Sequence, residues 1–228
     1  MAFTLDNVVP WGRNLDEYSR MFALSKSDMS VKILDCAGGP SSFNRELTEK
    51  GGTVMSCDPL YGFSRDEIEG RIGETYGQVM SQLERNRGDY VWREFDSPEA
   101  LGDARMAAMR LFLEDLDNGK KEGRYLPHAL PRLPFESGSF GLALCSHFLF
   151  TYSGHLDLQF HRDSISEMCR VAGEARVFPV LDIGGGVSEH LEPLLETLEK
   201  GGLIARLVDV NYEFQKGARR MLSVTRHT

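Results

Sequence analysis

The sequence predicts an α/β sandwich of about seven strands, and three observations predict it. Short β-type runs alternate with stretches of helical periodicity along the whole chain, with no internal repeat. The first strand-like run is followed by a Gly-rich turn, a helical stretch, a second strand-like run and an acid. The 228 residues, 41% of them hydrophobic, can fill a sizeable core, so a single domain spanning residues 1–228 is expected.

Asn14 predicts the first helix: its side chain caps, Glu17 three residues on closes a capping box, and Leu15, Tyr18 and Phe22 form one stripe. VKILD (31–35) reads as a buried strand, CAGGPSS as a turn, residues 43–50 as a helix ended by Gly51 and Gly52, and TVMSC (53–57) as a second strand closing on Asp58. Ser64 with Glu67 repeats the capping box ahead of Ile68, Ile72, Tyr76, Val79 and Leu83 at helical spacing. Ser97 then Pro98 opens the next helix as N-cap and first-turn residue, and DYVWREF between the two suggests a short strand. Past Gly119 come a strand near 124–126, a Pro-rich link, a strong strand at 140–146 and a helix with Ile165, Met168, Cys169 and Ala172 on one face. A fifth strand is expected at 176–181. The helix carrying Leu191, Leu194, Leu195 and Leu198 stops at Gly201 and Gly202, and two last strands fit 203–210 and 221–225.

Composition narrows the function. Lys plus Arg number 26 against 34 Asp plus Glu, a net charge of −8, which speaks against a nucleic-acid partner held by counterion release. The longest apolar run, around 140–152, is interrupted by Cys145, Ser146 and His147 and falls short of the roughly 20 residues of a membrane helix. The opening MAFTLDNVVP carries acid, Asn and Pro where a signal peptide has a basic start and an apolar stretch, so a cytoplasmic location is expected. Cys36, Cys57, Cys145 and Cys169 lie far apart with no CxxC pair, which predicts reduced thiols and neither a metal site nor a disulfide framework.

A Gly-rich turn after a first strand lets backbone approach a ligand, and an acid ending the second strand takes ribose hydroxyls; Asp58 stands 23 residues after Asp35. The strings here resemble those of class I S-adenosylmethionine (SAM) dependent methyltransferases. LDCAGGPSSF from Leu34 resembles their motif I, usually an acid then GxGxG, and CDP at 57–59 resembles motif II. LPFESGSFGLALCSHFLF from Leu133 is similar to the family's approach to the fourth strand, and EMCRVAGEARVFPVLD from Glu167 to its next helix and strand. The three glycines of GxGxG fall on Ala37, Gly39 and Ser41, so only the middle one is kept. The resemblance implies a Rossmann-like sandwich of small-molecule type with an antiparallel C-terminal strand, an N-terminal helical cover (1–30) and a helical insert (64–118) serving as a lid. VLDIGGG at 180–186 mimics motif I, but only 42 residues follow it, too few for a nucleotide-binding half, so Gly184–Gly186 is expected to be a loop at the sheet edge. GGPSSF offers no third glycine for a dinucleotide site, which sets NAD aside.

By this resemblance SAM is the implied cofactor, as methyl donor or as substrate. Ala37, Gly38, Gly39, Pro40 and Ser41 line its amino-acid end, Asp58 with Pro59 binds the ribose side, Asp35 meets the ammonium, Arg13 the carboxylate, and Tyr18 stacks or hydrogen-bonds. His128 is expected at the adenine edge. CSHFLFTYSGH places Ser146, His147, Phe148, Phe150 and Tyr152 at the C-terminal edge of the fourth strand, where such sheets bind ligands. Aromatic faces attract a sulfonium, which suits Phe148, Phe150 and Tyr152, and His147 is the candidate base with Tyr152 beside it. His155 and His161 are expected at the surface. The function implied is methyl transfer to an oxygen or nitrogen of a small-molecule substrate. The alternatives are intramolecular cyclisation or lysis of SAM releasing methylthioadenosine, and SAM binding without turnover.

Overall fold

The computed structural model describes residues 9–227. Its strands are β1 (Lys32–Cys36), β2 (Thr53–Cys57), β3 (Tyr125–Leu126), β4 (Phe140–Ser146), β5 (Ala172–Phe178), β6 (Leu203–Asp209) and β7 (Arg220–Arg226). They form one sheet in the order β3-β2-β1-β4-β5-β7-β6. β1 to β5 pair in parallel, and β7 runs antiparallel to both β5 and β6. The expected strand count, mostly parallel pairing and antiparallel C-terminal strand are all present.

The helices are α1 (Leu15–Met21), α2 (Phe43–Glu49), α3 (Arg65–Arg85), α4 (Pro98–Lys121), α5 (Leu158–Val171) and α6 (Leu191–Lys200). Successive strand residues point to opposite faces, so Ile33 and Leu34 enter different cores. Leu34, Ala143 and Val177 pack with Met168 of α5 and Leu194 of α6. On the other face Ile33, Val54 and Leu144 pack with Tyr18 of α1 and Phe43 of α2, whose rings stack at 4.3 Å. Burial on both faces is why these strands read as unbroken apolar runs rather than alternating ones.

Sequence signals set most of the boundaries. Asn14 Oδ1 accepts the Glu17 amide at 2.9 Å and Glu17 Oε2 accepts the Asn14 amide, closing the predicted box; Ser64 and Glu67 do the same for α3, and Ser97 caps α4. Three boundaries differ. DYVWREF forms no strand, because the sheet offers it no ladder; Arg87–Asp89 is a 3-10 turn and Tyr90 makes a lone antiparallel bridge to Gln215. β5 spans Ala172–Phe178 rather than 176–181, and Ala172 opens it instead of lying on the face of α5, since Glu174 is accommodated in the strand by Arg176 and by Ser223 of β7. The insert is two different things. α4 packs Phe112 and Leu116 against Tyr125 of β3 and Tyr61, making it the crossover between β2 and β3, whereas only α3 extends beyond the sheet's C-terminal edge.

The chain leaves β1 towards β2 on one side and β4 lies on the other, so the strand order reverses beside β1. At such a switch point the connecting loops diverge and leave a crevice at the C-terminal strand ends. No helix among the described residues is long and apolar enough to cross a membrane.

Candidate functional site

A cavity of about 870 Å³ occupies that crevice, towards the upper end of the roughly 300–1,000 Å³ typical of ligand sites. Its near wall is the β1–α2 turn, residues 37–41, together with Asp58 and Pro59 after β2. Ala37 and Gly39 both have positive φ, +54° and +53°, so Ala37 adopts the left-handed conformation that a glycine would take at that place. Ser41 fills the third glycine's place usefully: its hydroxyl donates to Arg13 O at 2.7 Å and receives the Phe43 amide, tying the N-terminal segment to the turn.

Gly38 is fixed by crowding. A Cβ there would stand 2.3 Å from Asp35 Oδ2 and 2.7 Å from the Tyr61 hydroxyl, while one on Gly39 would meet nothing within 4 Å. We expect Gly38→Ala to cost about 1–3 kcal/mol in chemical denaturation and to weaken ligand binding. Gly39→Ala is expected to cost only about 1 kcal/mol, from its positive φ. Equal costs at the two positions would contradict this account of the turn.

Asp58 is held ready. Its Oδ2 accepts the Gly39 amide at 3.0 Å and its Oδ1 the Leu60 amide at 2.8 Å, so the acid that ends β2 is bonded to the turn that follows β1. Burial raises its pKa and the two amides oppose that rise. Asp35 lies one layer deeper than expected: it is buried behind Gly38 rather than on the cavity wall, and accepts from the Tyr18 hydroxyl at 3.2 Å and Ser56 Oγ at 3.1 Å. Burial pushes its pKa up to about 7 against these two donors, with Asp58 adding to the rise. The folded chain therefore holds a proton that the unfolded chain releases from about pH 4, and stability falls as pH rises through the window to about 7. Asp35→Asn should then gain in melting temperature relative to the wild-type chain between pH 5 and pH 8; a gap that narrows over that range would contradict the assignment.

Arg13, from the segment before α1, lines the same cavity. One guanidinium nitrogen donates to Trp11 O at 3.2 Å, its Nε is buried without a partner, and no carboxylate pairs with it among the described residues. Burial and the nearby Arg105 lower its pKa. Arg105 is fully buried and paired with Glu17 Oε2 at 2.5 Å, and Glu17 Oε1 accepts the Tyr212 hydroxyl at 2.8 Å. This Arg105–Glu17–Tyr212 group has no sequence signal, since Glu17 reads only as a helix cap and its partners are 88 and 195 residues away.

Beyond Ser146 the chain turns sharply: His147 has φ +50°, and its amide donates to Phe178 O at 2.6 Å. Its Nδ1 is 2.9 Å from Ser146 Oγ, its ring meets Phe178 edge-on at 5.4 Å, and burial with the nearby charges of Arg13 and Arg105 depresses its pKa well below the ordinary value. Ser146, Phe148 and Tyr152 also line the cavity, as does Tyr18.

Other expected residues lie elsewhere. Phe150 is fully buried beside the His161 ring at 5.4 Å in the core, because the chain after β4 winds as a turn, closed by Tyr152 N–H to Phe148 O at 3.0 Å, that brings Phe148 and Tyr152 to the cavity and Leu149 and Phe150 to the core. His128 is exposed and outside the cavity, to which its neighbours Ala129 and Leu130 contribute instead. His161 is buried rather than exposed, its two nitrogens against the carbonyls of Asp157 and Leu149. His155 is at the surface as expected. Residues 182–186 form a tight loop closed by Asp182 N–H to Gly186 O at 2.8 Å, and only Ile183 of it reaches the cavity. The four cysteines are free and buried, and burial pushes Cys57 and Cys145 up to about 12, which keeps them protonated and unreactive at neutral pH. Of the N-terminal cover, residues 1–8 lie outside the described residues; Val9, Pro10, Trp11, Arg13 and Tyr18 border the cavity.

No protein-family model matches the chain. Over 223 residues, 97% of this chain and 98% of the other, it is 33% identical to Uncharacterized protein MJ0045 of Methanocaldococcus jannaschii. Solved structures similar to it include a TehB-like SAM-dependent methyltransferase from Corynebacterium glutamicum, at 15% identity over 93% of this chain and 87% of that one with a TM-score of 0.47. Magnesium protoporphyrin IX methyltransferase of Synechocystis with bound SAM is similar at 12% identity over 93% and 90% with a TM-score of 0.42. A possible histamine N-methyltransferase of Thermotoga maritima is similar at 12% over 93% and 88% with a TM-score of 0.44.

Proposed function

The chain belongs to the family of MJ0045 from Methanocaldococcus jannaschii and has the strand order and antiparallel last strand of the class I SAM-dependent methyltransferase fold, and from that premise we propose that it binds SAM and methylates a small molecule. The observation that carries the reading is the bond from the Gly39 amide to Asp58. It joins the turn after β1 to the acid after β2 on the wall of one cavity at the switch point.

The residues fit such a ligand. Asp58, braced by two amides, keeps lone pairs for a ribose diol, with Pro59 and Leu60 beside it for an apolar base. Residues 37–41 present backbone to the amino-acid portion, and Gly39 leaves open space there. The guanidinium of Arg13, which has no carboxylate partner among the described residues, suits a carboxylate. Phe148 and Tyr152 offer aromatic faces for a cation.

When bound, SAM supplies an electrophilic methyl on a sulfonium. The protein's share is placement, desolvation and removal of one proton. His147 is neutral near pH 7, and in the tautomer whose Nδ1–H donates to Ser146 Oγ its Nε2 lone pair is free to take the proton of an acceptor hydroxyl or amine. The thiols of Cys57 and Cys145 are held protonated by burial and are therefore poor nucleophiles for a covalent route. The free cysteines and the net charge of −8 support a cytoplasmic enzyme with a small-molecule rather than a nucleic-acid substrate.

Calorimetric titration tests the binding. SAM and S-adenosylhomocysteine are expected to bind and NAD not to. Asp58→Ala should weaken SAM by about 10- to 100-fold, the worth of one or two hydrogen bonds to a charged group. Binding of NAD in place of SAM would overturn the proposal.

A further inference from the structure

The cavity wall extends beyond the residues that fit the nucleoside, and this further stretch is termed its second lobe. α3 divides along its length: its first half brings the charged Glu67, Arg71 and Glu74 to the wall, and its second half brings Val79 and Leu83. The same stretch of wall takes in Tyr90 from the α3–α4 link and Phe214 from the β6–β7 link, which pack in one cluster with Val79 and Leu83, together with Gln215 and Ile183. The two links are clasped together by Val91 N–H to Phe214 O at 2.7 Å and Lys216 N–H to Asp89 O at 3.0 Å. Tyr90 and Phe214 stack at 4.8 Å and 18°, while Trp92 and Phe95 hold the Phe214 ring edge-on at 5.5 and 5.8 Å. Phe214 is thus a half-buried ring held by three aromatic neighbours that also borders the cavity.

We infer that this lobe binds the methyl acceptor and that the acceptor is a planar, uncharged hydroxy- or amino-arene. The inference rests on the SAM reading of the near lobe. A flat, rigid, aromatic wall favours a ring over a flexible aliphatic chain, because stacked or edge-on contacts add about two- to tenfold in affinity each beyond the area they bury. Rigidity adds to this, since the clasp and the ring cluster leave little to be ordered on binding. Val79, Leu83 and Ile183 offer no partner for a charged substituent. Phe178, which meets His147 at 5.4 Å on one side and Tyr212 at 5.8 Å on the other, borders the same cavity.

The test is calorimetry on the full chain, with and without S-adenosylhomocysteine, using 2-naphthol and its saturated counterpart decahydro-2-naphthol. 2-Naphthol is expected to bind at least tenfold more tightly than the saturated alcohol and to bind alongside the nucleoside. Phe214→Ala should weaken it about tenfold. Ile183→Trp, a loop change that fills the lobe and does not depend on the aromatic cluster's folding, should abolish 2-naphthol binding with nucleoside affinity kept within twofold. Equal affinity for the two alcohols, or displacement of the nucleoside by 2-naphthol, would overturn the lobe assignment. 2-Naphthol binding with no nucleoside binding would instead overturn the SAM reading on which it rests.

Discussion

His147→Gln is expected to lower kcat by about 10²- to 10⁴-fold, measured as S-adenosylhomocysteine formed with a hydroxyarene, and to leave S-adenosylhomocysteine affinity within about twofold. Glutamine keeps the size and a hydrogen bond to Ser146 but cannot take a proton. The imidazole lines the cavity, with Ser146 Oγ 2.9 Å from Nδ1 and the Phe178 ring edge-on at 5.4 Å. Its pKa is depressed by burial and by Arg13 and Arg105, so the reactive neutral form persists as pH falls through the ordinary histidine value and is lost only at lower pH. The wild-type acid limb should therefore lie below pH 6.5 and vanish in the variant. Activity of the variant within fivefold of wild type would remove His147 from the chemistry.

Arg13→Met is expected to weaken SAM and S-adenosylhomocysteine by about 10- to 100-fold, while leaving methylthioadenosine, which has no carboxylate, unchanged. The contrast follows from the state of the guanidinium: buried Nε without a partner, no carboxylate pairing with it among the described residues, and a second cation, Arg105, close by. A half-buried cation in that setting carries a desolvation cost that an anionic ligand relieves. The same substitution should accordingly raise the melting temperature of the ligand-free protein. Equal losses for methylthioadenosine and SAM would mean that Arg13 shapes the cavity rather than recognising the carboxylate.

The local signals were legible because they are made by neighbours in sequence. The Asn14–Glu17 and Ser64–Glu67 boxes, the turn between Cys36 and Phe43 and the acid at the end of β2 each depend on a few adjacent residues, and each appears where expected. The missing glycines are accommodated, since Ala37 adopts the left-handed backbone and Ser41 gains a structural bond. What the sequence hid is set by register and by distant contacts. Phe148 and Phe150 are two residues apart on one string, yet one lines the cavity and the other is sealed against His161. Asp35 is next to the turn in sequence and behind it in space. The Arg105–Glu17–Tyr212 group and the Tyr90–Phe214 wall join segments that carry no mutual pattern, so only the folded chain brings them together.

The most direct measurement is the nucleoside left after the purified protein is incubated with SAM, first alone and then with a small-molecule extract or 2-naphthol, read by mass spectrometry. The account predicts S-adenosylhomocysteine, formed only when an acceptor is present. Methylthioadenosine released from SAM alone would contradict it and make SAM the substrate of a cyclisation or lysis instead.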